Sequence, residues 1–331
     1  MPRKFAFTIC SINYLAQARV LGESLKKHNP DYDFVIGLCD KLEKSNVDVT
    51  KLPDFQIIEV DKIGIDGFGD MCERYDITEL NTAVKPFYFD YFFKSDPERE
   101  TVIYLDPDIE IFDKLTSLEE SLSENNMVLT PHFYTPIFDN HTRREQEMFV
   151  NGIYNLGFLA VKRSKPVEDF LFWWKTKLRT ECYMDIQRGM FVDQLWCNMV
   201  PLYFEGVKID KNPGYNISYW NLHERQLTYK DGKYFSNGQP LIFYHYSGIN
   251  IGDPLNISRW QDRFDLTNRK DLVSIFDNYR ATLKTFENSY FKSIKCYYQK
   301  ETPQPPKKSF VKKVLTSVSF RIYHFFDTLP I

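Results

Sequence analysis

The amino-acid sequence predicts an α/β fold with a mostly parallel central sheet flanked by helices. Three observations carry this. Short apolar runs alternate with helix-period segments, the runs are continuous rather than alternating, and several end on acidic residues. The chain of 331 residues, 43% hydrophobic and 26% charged, is long enough for a sizeable core and too apolar for wholesale disorder.

Lys4–Cys10 reads as the first strand. Tyr14, Ala18, Leu21 and Leu25 recur at helical spacing, and His28-Asn29-Pro30 stops that helix. Phe34–Cys39 and Phe55–Val60 are the next strands, the former ending at Asp40. Behind a Gly-rich acidic loop (Gly64–Asp70), Ile77–Lys94 reads as one aromatic-rich helix despite Pro86. Thr101–Leu105 and Met127–Leu129 are strands, as is Tyr154–Lys162. Pro166–Leu178 is a helix, and Asp185–Met199 a second one closed by Pro201. Hairpin signals follow at Asp231-Gly232 and Asn237-Gly238, before the apolar run Leu241–Tyr246.

The net charge of −3 argues against nucleic-acid binding through a basic surface. It is unevenly spread: Lys292 to Ile331 carry +6, leaving −9 on the rest. Residues 1–290 are assigned to a catalytic body and 291–331 to a basic, aromatic tail beyond the linker Thr302–Lys308. Taken as a helix, Phe310–Phe326 is amphipathic, so the tail reads either as an anchor on anionic lipid or as a helix docking on protein. No stretch approaches about 20 apolar residues, the length of a membrane span. The six scattered cysteines lack metal-type spacing, which with the broken apolar N-terminus points to the cytoplasm, peripheral on the membrane's cytoplasmic face if the tail is an anchor. The Asn-X-Ser/Thr triplets at Asn140, Asn216 and Asn256 are then chance matches.

The chemistry concentrates at Thr101–Asp108, where an apolar strand ends in Asp106 and Asp108. Carboxylates at i and i+2 of an extended backbone lie on one side, so both can reach one Mn²⁺ or Mg²⁺. Solvated turn residues are the alternative. His245, near the end of Leu241–Gly248, is either a third ligand or a strand-end histidine held by hydrogen bonds. The aromatic share of 16% suits a large core, and Tyr215, Tyr219, Trp220 and His223 could instead face a sugar.

These motifs, in order, resemble a glycosyltransferase family. The strand-helix unit from Cys10, the helix TELNTAVKPF, YLDPDIEIF, the Asn-X-Gly strand YNLGFLAVK, DQLWCN and the late His-Tyr-Ser-Gly resemble the retaining family 8 type of the GT-A fold, a Rossmann-like α/β architecture. The resemblance covers residues 4–265 and implies a nucleotide-sugar donor. It implies that Asp106, Asp108 and His245 hold the metal. It implies that Ile9, Cys10, Ser11, Asn13 and Tyr14 receive the nucleotide, with Tyr14 on the base. Lys85, Asn155, Gly157 and Gly248 fall at donor-binding positions, with Asp106 beside the diphosphate. Asp193 and Gln194 fall near the anomeric carbon as the catalytic pair. One departure stands out: where the family carries a Lys-Pro-Trp after this glycine, the chain has Ile249-Asn250-Ile251, leaving Lys85 or Arg259 to hold the diphosphate.

The expected activity is metal-dependent transfer of a hexose-type sugar, from a UDP-sugar, to a saccharide or lipid-linked saccharide, with retention, in bacterial surface polysaccharide synthesis. Two other classes compete. A glycoside hydrolase would need carboxylates flanking a bond across about 5–9.5 Å, and a sugar-binding module leaves Asp106, Asp108 and His245 without a joint role.

Overall fold

The computed structural model describes residues 4–142 and 144–300. Strand β1 (Lys4–Cys10) leads through a 3-10 turn (Ile12–Tyr14) into helix α1 (Leu15–His28), then β2 (Tyr32–Leu38) and β3 (Gln56–Glu59). Three helices follow, α2 (Phe68–Arg74), α3 (Ile77–Ala83) and α4 (Lys85–Ser95), then β4 (Thr101–Leu105) and the short β5 (Ile109–Ile111). Helix α5 (Thr116–Glu124), β6 (Met127–Leu129), α6 (Glu145–Asn151), β7 (Phe158–Lys162) and α7 (Lys165–Leu178) complete the central layers. The rest comprises β8 (Met184–Asp185), β9 (Met190–Phe191), α8 (Val200–Tyr203), β10 (Val207–Ile209), and a meander β11 (Leu227–Lys230), β12 (Lys233–Ser236), β13 (Gln239–Pro240). Strand β14 (Phe243–His245), α9 (Val273–Thr285) and α10 (Asn288–Ser293) close it.

Seven strands form the main sheet in the order β10-β6-β7-β4-β1-β2-β3. All neighbours run parallel except β7, antiparallel to β4 and β6. The mostly parallel sheet expected from the sequence is therefore present, with one reversed strand. Its central strands are apolar along most of their length because both faces are covered. Along β1, Ala6 and Cys10 enter one core with α1, α5 and α9, while Phe5, Phe7 and Ile9 enter the other with α4 and α7. Much of the aromatic excess sits there: Phe7 meets Phe89, Phe92 and Tyr104 with centroids 4.9–5.3 Å apart. On α7, Val167, Phe170, Leu171, Trp174 and Leu178 form the buried stripe of a helix lying on a sheet.

Two sequence expectations are corrected. The segment Ile77–Lys94 is two helices, because Pro86 lacks the N–H and suits the first turn of a new helix, so the chain restarts at Lys85. Asp185–Met199 is not a helix: Gly189 and Val192 take positive φ (69° and 41°), and the chain forms the β8–β9 ribbon and 3-10 turns instead. The first of the split helices starts on a capping box in which Asp76 accepts from the Glu79 N–H and Glu79 accepts from the Asp76 N–H. Asp76→Ala is expected to cost about 1 kcal/mol in a urea melt.

A compact unit extends to Gln299, beyond the boundary at 290 read from sequence, and Phe291 and Cys296 are buried within it. The amphipathic stretch Phe310–Phe326 lies outside the described residues. Among the described residues no helix is long and apolar enough to cross a membrane.

Candidate metal and donor site

The site forms where strands end. Ser11 follows β1, Asp40 follows β2 and Asp106 follows β4, so three parallel strands deliver their carboxyl ends to one edge. Because β7 runs the other way, its entrance, Asn155–Gly157, reaches the same edge. Asp106 N–H donates to the Gly157 carbonyl at 2.7 Å, which ties the two together.

Strand β14 pairs antiparallel with β5, setting His245 opposite Ile109 and beside Asp108. His245 Nε2 lies 3.0 Å from Asp108 Oδ1 and 3.7 Å from Asp106 Oδ2. One ligand atom from each of the three residues falls within 4.8 Å of the other two. Two carboxylates and an imidazole are a donor set suited to Mn²⁺ or Mg²⁺, so the residues present fit a divalent ion. Gly157 keeps the space open. A Cβ there would stand 2.5 Å from His245 Cε1, 2.7 Å from Asp106 Oδ2 and 2.8 Å from Asn155 Oδ1.

The imidazole is oriented from behind. Asn216 is fully buried with φ of +49°, and its amide nitrogen donates to Thr130 Oγ1 (2.9 Å) and Asn155 Oδ1 (3.0 Å). Its oxygen thus faces His245 Nδ1 at 3.3 Å, so that nitrogen carries the proton and Nε2 is left for the carboxylates or a cation. Burial pushes the His245 imidazole down, but the charge and hydrogen bond of Asp108, with Asp106 behind, raise it overall. Burial pushes Asp108 up, and His245 more than reverses this, holding its carboxyl below the usual range. Without a metal the two form an ion pair.

Behind this cluster Lys85, the first residue of α4, is 3% exposed. Its Nζ meets Asp193 Oδ2 at 2.8 Å, donates to the Leu156 carbonyl at 2.9 Å, and lies 3.8 Å from Asp106 Oδ1. Burial would push the ammonium down, and Asp193 with Asp106 raises it above its ordinary value, so the lysine stays charged. Asp193, 2% exposed, is pushed up by burial against the pull of Lys85. Gln194 turns inward: its Oε1 accepts from Leu156 N–H (3.2 Å) and its amide nitrogen donates to the Asn151 carbonyl. Asn155 contacts Gln194 and His132, both at 3.4 Å. Tyr215 and Trp220, placed by sequence beside a sugar, are interior: Tyr215 stacks on Phe243, and Trp220 packs edge-on against His245.

At the exit of β1, Ile9, Cys10 and Ser11 are buried, while Asn13 and Tyr14 are partly exposed. Ser11 Oγ accepts from Asn81 Nδ2 at 2.8 Å. Asp40, unmarked by any motif, joins strand exits by accepting from the N–H groups of Ile12, Lys41 and Tyr297. Gly248 has φ of +72°, and a Cβ there would lie 2.2 Å from Trp260 Cδ1. The structure brings Asp106, Asp108, His245, Lys85, Asn155, Gly157, Asp193 and Gln194 into one continuous network. Sequence reasoning assigned no site role to Asn216, Thr130, His132 or Asp40; their sequence traces were a glycosylation-type triplet at Asn216 and the strand end at Asp40.

No protein-family model matches the chain. The uncharacterized protein YfnF of Bacillus subtilis is 28% identical over 284 residues, 83% of this chain and 90% of YfnF. A second uncharacterized B. subtilis protein, YfnD, is 26% identical over 171 residues, 51% of this chain and 53% of YfnD. Among solved structures, the galactosyltransferase LgtC in complex with donor and acceptor sugar analogues is similar over 91% of this chain and 98% of that one, at TM-score 0.50 and 15% identity. The bifunctional glycosyltransferase WbbM is similar over 86% of this chain and 52% of its own, at TM-score 0.51 and 15% identity. These likenesses are of fold, and the chain has the GT-A fold expected from its motif order.

Proposed function

We propose that the protein is a metal-dependent glycosyltransferase that takes a sugar from a nucleotide-sugar donor, a UDP-hexose first among candidates, to a saccharide acceptor. The observation that carries this is the convergence of Asp106, Asp108 and His245 at the carboxyl edge of a GT-A sheet. A divalent ion held by these three residues would neutralise charge on the departing diphosphate, which favours the transition state over the ground state. The chain's own residues do the rest. Asn216 holds His245 in the tautomer that presents Nε2. Tyr104 donates to Asp106 and Lys85 lies near it, so that carboxylate is kept in place. Asp193 and Gln194 lie behind Asn155–Gly157 and are assigned to the sugar end of the site, with retention of anomeric configuration as the stereochemical reading. Asp193 is enclosed with Lys85, an arrangement that favours front-side attack over a protein nucleophile.

A lipid-linked saccharide acceptor, a role in bacterial surface polysaccharide synthesis, and contact of the basic tail with anionic membrane belong to the same proposal. So does the division into a catalytic body and that tail. LgtC, with its donor and acceptor sugar analogues, supports a donor-plus-acceptor chemistry.

The test is a thermal-shift screen of UDP, GDP, dTDP and CMP with and without Mn²⁺. One nucleotide is expected to raise the melting temperature only with metal, since a ligand of the native state stabilises by mass action. The shift is expected to vanish in Asp108→Ala. No metal-dependent shift with any nucleotide would sink the reading.

A further inference from the structure

Helix α10 packs on α1 and on the 3-10 turn Ile12–Tyr14 at the exit of β1. Phe291 is buried in the core, while its neighbour Lys292 is exposed and lies over Tyr14, at the exit of β1. Its ammonium stands 3.3 Å from the centroid of the Tyr14 ring, and no carboxylate among the described residues lies within ion-pair distance. Arg259 is a second cation without an ion pair among the described residues. Its backbone N–H donates to the Gly248 carbonyl at 2.9 Å, and its guanidinium lies 4.5 Å from the Trp260 ring. It is therefore tied to the turn that leaves His245.

The two cations share one electrostatic environment with the metal cluster. Lys292 is exposed along its stem, but crowding around its ammonium, with Arg259 adding to it, pushes it down to about 8 against the pull of Asp108. Burial raises the Tyr14 hydroxyl to about 12, and the charges of Asp108 and Arg259 are both felt there. Asp108 is already paired with His245. Two cations that repel each other beside an engaged carboxylate leave net positive charge, which an anion from outside would neutralise.

We propose that Lys292 is an exchangeable anion clamp: in the free protein it rests on Tyr14, and on donor binding it leaves that ring to grip the diphosphate opposite Arg259. This rests on the transferase reading above. The exchange has two consequences. Helix α10 becomes a wall of the donor site, although it lies far along the chain from the Asp106–Asp108 motif. The face of Tyr14 is bared for the base only once the phosphates have drawn the ammonium away, so phosphate and base recognition are coupled.

Inorganic pyrophosphate is the probe, because it carries the charge without a base. Titration calorimetry with Mn²⁺ present is expected to show Lys292→Ala binding it about tenfold to a hundredfold more weakly, the loss of one charge-assisted hydrogen bond. Lys292→Arg should stay within a few-fold of the parent, since the charge is kept. Affinity for Mn²⁺ alone should be unchanged in both, which a merely structural role would not predict. In lysine-¹³Cε-labelled protein with Mg²⁺, the ring-shifted Lys292 signal should move to an ordinary position as pyrophosphate is added. Unchanged pyrophosphate affinity in Lys292→Ala overturns the clamp and leaves the transferase reading standing. An unmoved Lys292 signal on saturation overturns the exchange. If the parent protein binds neither pyrophosphate nor any nucleoside diphosphate with metal, both readings fall together.

Discussion

Lys85→Met is expected to destabilise the protein by about 3–5 kcal/mol, the cost of stranding the other half of a buried ion pair. Asp193 is 2% exposed and would lose the cation that pairs with it, with Asp106 still nearby to repel it. The sign of the pH response follows. With nothing to counter burial, the Asp193 carboxyl titrates above its unfolded value, so the folded variant binds an extra proton and its deficit shrinks as pH is lowered. Urea melts across the acidic range would read this. A deficit independent of pH would show that Asp193 is not the stranded charge. The double variant Lys85→Met/Asp193→Leu should recover much of the stability, because a buried pair replaced by apolar groups of similar size is often near neutral. It should not recover transfer activity if these residues serve the sugar end of the site.

Gly157→Ala should disable the site while sparing most of the fold. The added methyl meets His245, Asp106 and Asn155 together, each closer than 3.0 Å, and none is the free end of a flexible chain. Asp106 is fixed by its hydrogen bond to Gly157 itself and by Tyr104, and His245 by Asn216, so none can yield without breaking a named contact. Metal affinity is expected to fall about 10–100-fold, the scale for disturbing groups that orient metal ligands. Overpacking adds about 1–3 kcal/mol of destabilisation. Calorimetric titration with Mn²⁺ reads the first and a urea melt the second. Wild-type metal affinity in Gly157→Ala would show that the ion, if bound, lies elsewhere.

These two residues also mark how far the sequence reaches. Asp106 and Asp108 were legible because their relation is local: a strand's period places i and i+2 on one side, and an apolar strand before them says where the pair ends up. His245 was legible for the same reason, at the end of an apolar run. Lys85 and Asp193 were each named, yet nothing in either neighbourhood says that they touch, since 108 residues separate them. Lys85 was read as a candidate for the diphosphate, and its Nζ is instead engaged with Asp193 and the Leu156 carbonyl. The aromatic loop at Tyr215–Trp220 reads as a candidate sugar platform, whereas Tyr215 stacks on Phe243 in the core and Trp220 packs against His245.

What the sequence determined by itself was the periodic and the adjacent: which runs are strands, where the carboxylates stand, and that the fold is α/β with a mostly parallel sheet. It failed at Pro86 and across Asp185–Met199, where a missing N–H and two positive φ angles outweigh a pattern spread over many residues. Only the tertiary structure decided the rest. The reversal of β7 brings Gly157 to the edge that carries Asp106, the β5–β14 pairing sets His245 beside Asp108, and the return of α10 lays Lys292 on Tyr14. The physical reason is common to all three. Secondary structure is selected by neighbours within a few residues, but a binding site is selected by which buried polar groups can satisfy one another, and those partners come from anywhere in the chain.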